Sequence, residues 1–175
     1  MNCLSSEVTR QQPKIKALIL GVGNPILSDD GVGIHVMREL QKKYSHLSCF
    51  EFDEVSIGGL SLAERFIGYD HVIMIDALAL EGGIPGSVYR HTTDDYRTTI
   101  HTYCAHDCNL ATAYDVLRKE LGEDKLPSDI VIIGVEVEVI NEFSEELSES
   151  VKNAVPKAIE IAEKEMKRIL NVEKL

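Results

Sequence analysis

Three short segments of the chain concentrate side chains that could do chemistry. The first, Gly21-Val22-Gly23-Asn24-Pro25-Ile26-Leu27-Ser28-Asp29-Asp30-Gly31-Val32-Gly33, carries two adjacent carboxylates at the start of an expected helix. It begins like a dinucleotide fingerprint, but Ile26 stands where the third glycine of G-x-G-x-x-G belongs. Two acids at a helix N-terminus also repel a phosphate and attract a cation. One of them reads most simply as a helix cap, which leaves the other to be explained. The second segment ends the uncharged run Val72–Ile75 with Asp76, whose alternative reading is a satisfied turn or cap acid. The third packs His101, Cys104, His106 and Cys108 into eight residues. Histidine, cysteine and acid side chains are the vocabulary of a transition-metal site. A zinc site made of this run alone is disfavoured, because structural zinc is usually held by two separated ligand pairs. The competing arrangement takes one histidine from the run together with Asp30 and Asp76. Two hard carboxylates and one borderline imidazole then leave positions open for substrate or water.

Strands and helices alternate along the sequence in a way that brings these segments to one place. Ile15–Gly23 is a short apolar run ending in glycines, as expected of a strand buried on both faces. Helical spacing follows over Asp29–Tyr44, a strand over Cys49–Val55, a short helix over Leu60–Ile67 and a third strand over His71–Ala77. Beyond the turns at Gly82-Gly83 and Pro85-Gly86 come a strand at Ser87–Arg90 and a helix over Asn109–Leu121, with Leu110, Ala113, Leu117 and Leu121 on its apolar face. Asp129–Val139 changes from continuous to alternating hydrophobicity, as if half of it lay at an edge. Glu145–Leu170 is a long amphipathic helix that Pro156 should kink or start late. Such alternation predicts an α/β fold, an open and mostly parallel sheet covered on both faces. Ligands of these sheets bind beyond the carboxyl ends of the strands, where all three segments fall.

At this point the chain resembles the hydrogenase maturation endopeptidases, which trim the C-terminal tail from the large subunit of nickel-iron hydrogenases. The resemblance rests on Gly21-Val22-Gly23-Asn24 with Asp29-Asp30-Gly31-Val32-Gly33, on Ile73-Met74-Ile75-Asp76-Ala77, and on His106 ahead of a leucine-containing helix. It spans roughly residues 15–170, nearly the whole chain. It implies a three-layer α/β/α sandwich around a mostly parallel sheet of about five strands, with Asp30, Asp76 and His106 as metal ligands and catalytic centre. It also implies the partner, a hydrogenase large-subunit precursor cleaved after nickel insertion, with nickel delivered by that substrate and other divalent metals as alternatives. Metal recognition would then make cleavage a checkpoint. Leu60 stands where relatives commonly have Thr, and Val137 where they commonly have Pro. Both changes bear on which hydrogenase is processed.

Two other readings compete. One is a maturation factor on the same fold that binds nickel or precursor without cleaving. The other is a nucleotide-dependent enzyme using Asp53 as the ribose acid, although Asp53 lies thirty residues past Gly23 where about twenty are expected. His35, His46, His71 and His91 read as unconnected to the site, Cys104 and Cys108 as buried or idle thiols, and Asp94-Asp95 as a solvated pair.

Composition bounds the rest. The chain has 175 residues, 18 basic and 29 acidic, for a net charge of −11, and a mean hydropathy of −0.06. That length fits one globular domain, read as residues 14–175 behind a polar leader at 1–13. The negative charge and the lack of a basic patch exclude a nucleic-acid or anionic-membrane partner. Asp115–Ser150 alone holds eleven acids against three bases, a net of 3 − 11 = −8, and reads as lying away from the site. The N-terminal sequence has no apolar stretch of signal-peptide length, and no run approaches the ~20 residues of a membrane span, so the expected location is cytoplasmic. Four cysteines without a secretion signal are expected to be reduced.

Overall fold

The computed structural model describes residues 15–92, 110–172 and 174–175, so the expected leader at 1–13 lies outside it. Five strands form one sheet: β1 (Ala17–Val22), β2 (Phe50–Val55), β3 (His71–Leu78), β4 (Val88–Thr92) and β5 (Asp129–Glu136). Their spatial order is β2-β1-β3-β5-β4, and every pairing is parallel except that of β4 with β5. Among the described residues four α-helices cover the sheet, α1 (Val32–Tyr44), α2 (Gly59–Glu64), α3 (Leu110–Leu121) and α4 (Glu149–Leu170). The expected three-layer α/β/α sandwich is therefore present. No helix among the described residues is long and apolar enough to cross a membrane.

The uninterrupted apolar strands follow from burial on both faces. Successive side chains of a strand point to opposite sides. Ile19, Ile73, Ile75, Val131 and Ile133 pack in one core with α1 and α4, whereas Leu18, Leu20, Val72, Met74 and Ile132 pack in the other with α2, α3 and Phe66. Phe66 is fully buried, and truncating such a ring to alanine typically costs about 3–5 kcal/mol. Glycine sets how closely α1 sits on the strands. A Cβ on Gly33 would lie 2.2 Å from the Ile75 carbonyl oxygen and 2.4 Å from that of Val22, so no other residue fits without moving the helix.

Three expectations shift at this level. Leu121 is exposed, and α3 buries only Leu110, Ala113 and Leu117. β5 is an interior strand, lying between β3 and β4, and its alternating half is buried as far as Val137. The long helix begins at Glu149 rather than Glu145 and runs unbroken through Pro156. Its buried stripe is Val151, Ala154, Ala158, Ala162 and Met166, where small side chains let the helix lie close to the sheet and α1.

Candidate active site

In the strand order, the chain winds from β1 outward to β2 on one side and returns to β3 on the other. The gap between β1 and β3 is thus the switch point of the sheet, where open α/β sheets place their ligands. The loop after β1 and the end of β3 both open onto it, and Gly33 locks the start of α1 against the ends of these two strands.

The two adjacent acids of the first loop have different jobs. They sit on a 3-10 turn, Ser28–Gly31, entered through Ser28 with φ of 48°, a left-handed conformation that L side chains rarely adopt. Asp29 is fully buried and saturated with donors. Its Oδ1 accepts from the Ser148 backbone N–H at 2.7 Å, and its Oδ2 accepts from the Ser148 hydroxyl at 2.9 Å and the Val139 N–H at 3.0 Å. The Asp29 N–H donates to the Val139 carbonyl at 3.0 Å. Asp29 is therefore a clip between the β1–α1 and β5–α4 loops. It also explains the late start of α4, because it holds the residue that precedes the helix, Ser148.

Asp30 is 8% exposed, and its Oδ2 accepts only the Asn24 N–H at 2.7 Å, closing the loop on itself. Its Oδ1 has no hydrogen-bond donor among the described residues. Neither acid caps a helix through its side chain, since the residue before α1 is Gly31 and no side-chain cap is present there. The capping alternative is thus removed for both.

Asp76 is fully buried in β3, opposite Gly134 of β5, and its Oδ1 accepts the Ala77 N–H at 2.8 Å. The strand continues two residues beyond it, to Leu78, so the acid lies within the sheet edge rather than in a turn. Asp30 and Asp76 thus flank the same switch point. His106, with His101, Cys104, Cys108 and the Asp94-Asp95 pair, lies outside the described residues. Among the described residues no three His, Cys, Asp or Glu side chains form a metal-binding group.

Glu136 is a buried acid that the sequence reading passed over. It is 2% exposed at the end of β5, on the sheet face that also carries Asp76. Its Oε1 accepts the Leu80 N–H at 2.7 Å, its Oε2 has no partner among the described residues, and a Cβ on Gly83 would lie 2.2 Å from Oε1. Burial pushes its carboxyl above the usual range, and the one N–H only partly offsets this. The period-two pattern of Gly134–Val139 hid it, because an acid in an alternating strand normally faces water.

The remaining sequence candidates find ordinary partners or positions. Asp53 pairs with Arg65 at 3.1 Å, which leaves little for a ribose reading. His71 Nδ1 lies 3.1 Å from Asp129 at the far end of the sheet, His91 stacks near Tyr89 and His46 is exposed. Leu60 is exposed at the start of α2, while Val137 is buried and donates its N–H to the Leu78 carbonyl at 2.9 Å. A proline could not make that bond. The acidic stretch does not avoid the site: its Glu138–Glu149 portion is the very segment that Asp29 clips beside Asp30.

By architecture and by the place of its acids, this is an α/β/α protein with buried carboxylates at the switch point of a mostly parallel sheet. The family model described as hydrogenase maturation protease matches residues 34–165. The chain is 25% identical to the hydrogenase 2 maturation protease of Escherichia coli K12 over 122 residues, 69% of this chain and 73% of that one. It is 29% identical to protein FrxA of Pyrococcus furiosus over 137 residues, 77% of this chain and 93% of the relative. Among solved structures, the [NiFe] hydrogenase maturation protease HybD from Thermococcus kodakarensis aligns with a TM-score of 0.61 at 29% identity, covering 86% of this chain and 98% of that one. The hydrogenase maturating endopeptidase HybD from Escherichia coli shares the fold, with a TM-score of 0.70 at 22% identity over 88% of this chain and 93% of that one. The chain belongs to the hydrogenase maturation protease family, and it is a processing endopeptidase.

Proposed function

We propose that this endopeptidase removes the C-terminal extension of a nickel-iron hydrogenase large-subunit precursor after nickel insertion, with Asp30, Asp76 and His106 receiving the nickel that the precursor carries. The observation that carries the reading is the contrast between Asp29, whose oxygens are filled by the protein, and Asp30, whose Oδ1 has no donor among the described residues, at the switch point where Asp76 is also buried. Two carboxylates and an imidazole suit a divalent first-row ion, so the donor set fits. A bound divalent ion would polarise the scissile carbonyl or lower the pKa of an attacking water. The protein's own contribution is positional: Gly33 seats α1 on the strand ends, the Asn24 N–H orients Asp30, and the Ala77 N–H orients Asp76. An Asp30 Oδ1 with no donor among the described residues favours a precursor that arrives with its metal, which makes cleavage conditional on loading.

The test is to incubate the protein with a nickel-loaded large-subunit precursor and with the same precursor lacking nickel, then weigh the large subunit. Loss of a C-terminal peptide only from the loaded form is expected. An unchanged mass with tight association would replace the proposal with a non-cleaving maturation factor, and equal cleavage of both forms would remove the checkpoint.

A further inference from the structure

The segment between β5 and α4 crosses the rim of the sheet with Glu138, Glu142, Glu145 and Glu146 and no lysine or arginine, Glu149 opens α4, and all five acids are exposed. In their midst Phe143 is 86% exposed, the most exposed of the large apolar side chains in the described chain. The ring is carried on a fixed backbone. Ser144 donates its N–H to the Ile26 carbonyl at 3.1 Å and accepts the Ser28 N–H at 2.8 Å, the Ser28 hydroxyl reaches the Glu146 carbonyl at 3.0 Å, and Asp29 holds Val139 and Ser148 on either side. Ile26, bound next to Phe143's neighbour Ser144, is itself 49% exposed.

From Ile26 the surface passes Pro25 and His35, which both lie beside Gly31, and enters a groove of about 290 Å³ between α1 and α4. Leu147, Val155 and Pro156 line that groove with His35, the acids Glu39 and Glu146 and one base, Lys152. The apolar strip begins on the loop that carries Asp30, is rimmed by acids alone around Phe143, and meets one lysine, Lys152, in the groove. Solvent-exposed aromatic and aliphatic side chains held rigid beside a reaction site mark a binding surface.

We infer that this strip docks the protein substrate, taking a basic segment of the hydrogenase precursor that presents an apolar side chain to Phe143 and Ile26 and lysines or arginines to the glutamates. The inference rests on the proposed precursor reading and adds the chemistry of recognition to it. Charge selects the occupant: a second copy of a chain with net charge −11 would set these acids against their own kind, whereas a cationic segment is steered toward them.

Steady-state cleavage of the nickel-loaded large-subunit precursor from the same organism tests this, using Phe143→Ser and the double variant Glu142→Lys with Glu145→Lys. Each is expected to raise KM about tenfold while kcat at saturating precursor falls less than about threefold, the mark of lost binding made equally in ground and transition states. Added salt should raise KM for the native protein and have little effect on the charge-reversed one. The exposed Glu120→Lys on α3 controls for overall charge and should leave KM alone. Melting temperatures confirm that all variants fold. A native protein that cleaves while both strip variants keep its KM would overturn the docking surface and spare the parent reading. A native protein that cleaves no precursor would bring down both. Sedimentation showing a dimer that Phe143→Ser dissolves, with KM unchanged, would assign the strip to a second copy and overturn the inference.

Discussion

At the amino ends of β3 and β5, acids are met by cations. Asp129 lies 3.1 Å from His71 Nδ1 and 2.5 Å from Arg168, while Glu165 of α4 accepts from Arg90 and Arg168, each at 2.7 Å. At the carboxyl ends of the same sheet, Asp29, Asp30 and Glu136 form no ion pair among the described residues and are held by backbone N–H and hydroxyl donors. The difference shows in protonation. Burial pushes Glu165 and Asp129 upward, but their arginine hydrogen bonds outweigh it and leave both carboxyls below the ordinary range. For Glu136 burial wins and the carboxyl rises. One end of the sheet is neutralised internally and serves stability. The other holds its acids by hydrogen bonds without an ion pair among the described residues, which is where the proposed site lies.

The strongest way to break this comparison is to remove the side chains proposed for the reaction. Alanine at Asp30, Asp76 or His106 is expected to reduce precursor processing by more than about 1,000-fold, since a bound metal supplies several kcal/mol of transition-state stabilisation. Melting temperature should change little for Asp30→Ala, whose carboxylate holds a single described N–H. Mass spectrometry of the precursor and thermal melting of each variant read the two effects separately. Retained processing alongside a collapsed melting temperature would make these acids structural, like those at the opposite end.

Asp29→Ala should give the reverse pattern beside it. It strips a buried carboxylate from Ser148 and Val139 and leaves their N–H groups without an acceptor, a loss of about 3 kcal/mol. In a chain of this size that lowers the melting temperature by about 6–12 °C. Chemical denaturation measures it directly, and a stability equal to that of Asp30→Ala would erase the division of labour between the neighbours.

That division shows what a sequence conveys and what it withholds. The alternation of apolar strands with amphipathic helices is local, and it located each element to within a few residues. Asp76 was legible for the same reason, as the first charge after an uncharged strand. Asp29 and Asp30 are locally equivalent, and only partners 109 to 119 residues away separate them. Glu136 was hidden because its strand lies inside the sheet under a loop that begins after β3, a tertiary fact that reverses the usual meaning of alternation. The start of α4 was misplaced by four residues because Asp29, far away in the chain, fixes Ser148 in its place.

The smallest effects sharpen the comparison through pH. Glu165 has a depressed carboxyl, so its stabilising contribution is complete above the unfolded value near 4.3 and is lost as pH falls through its lower folded value. Glu165→Gln should therefore cost about 2 kcal/mol at pH 7, and the gap from the native protein should close as acid is added below about pH 5. Glu136 runs the other way: its raised carboxyl contributes while protonated, and that contribution fades as pH climbs from the ordinary glutamate range through the raised value. Glu136→Gln should change stability by less than about 1 kcal/mol at pH 7 and flatten the native protein's decline between acid and neutral pH. Urea denaturation from pH 3 to pH 8 resolves both slopes. Parallel curves for the two variants would mean that the ion-paired surroundings of Glu165 and the hydrogen-bonded surroundings of Glu136 do not differ in how they hold charge.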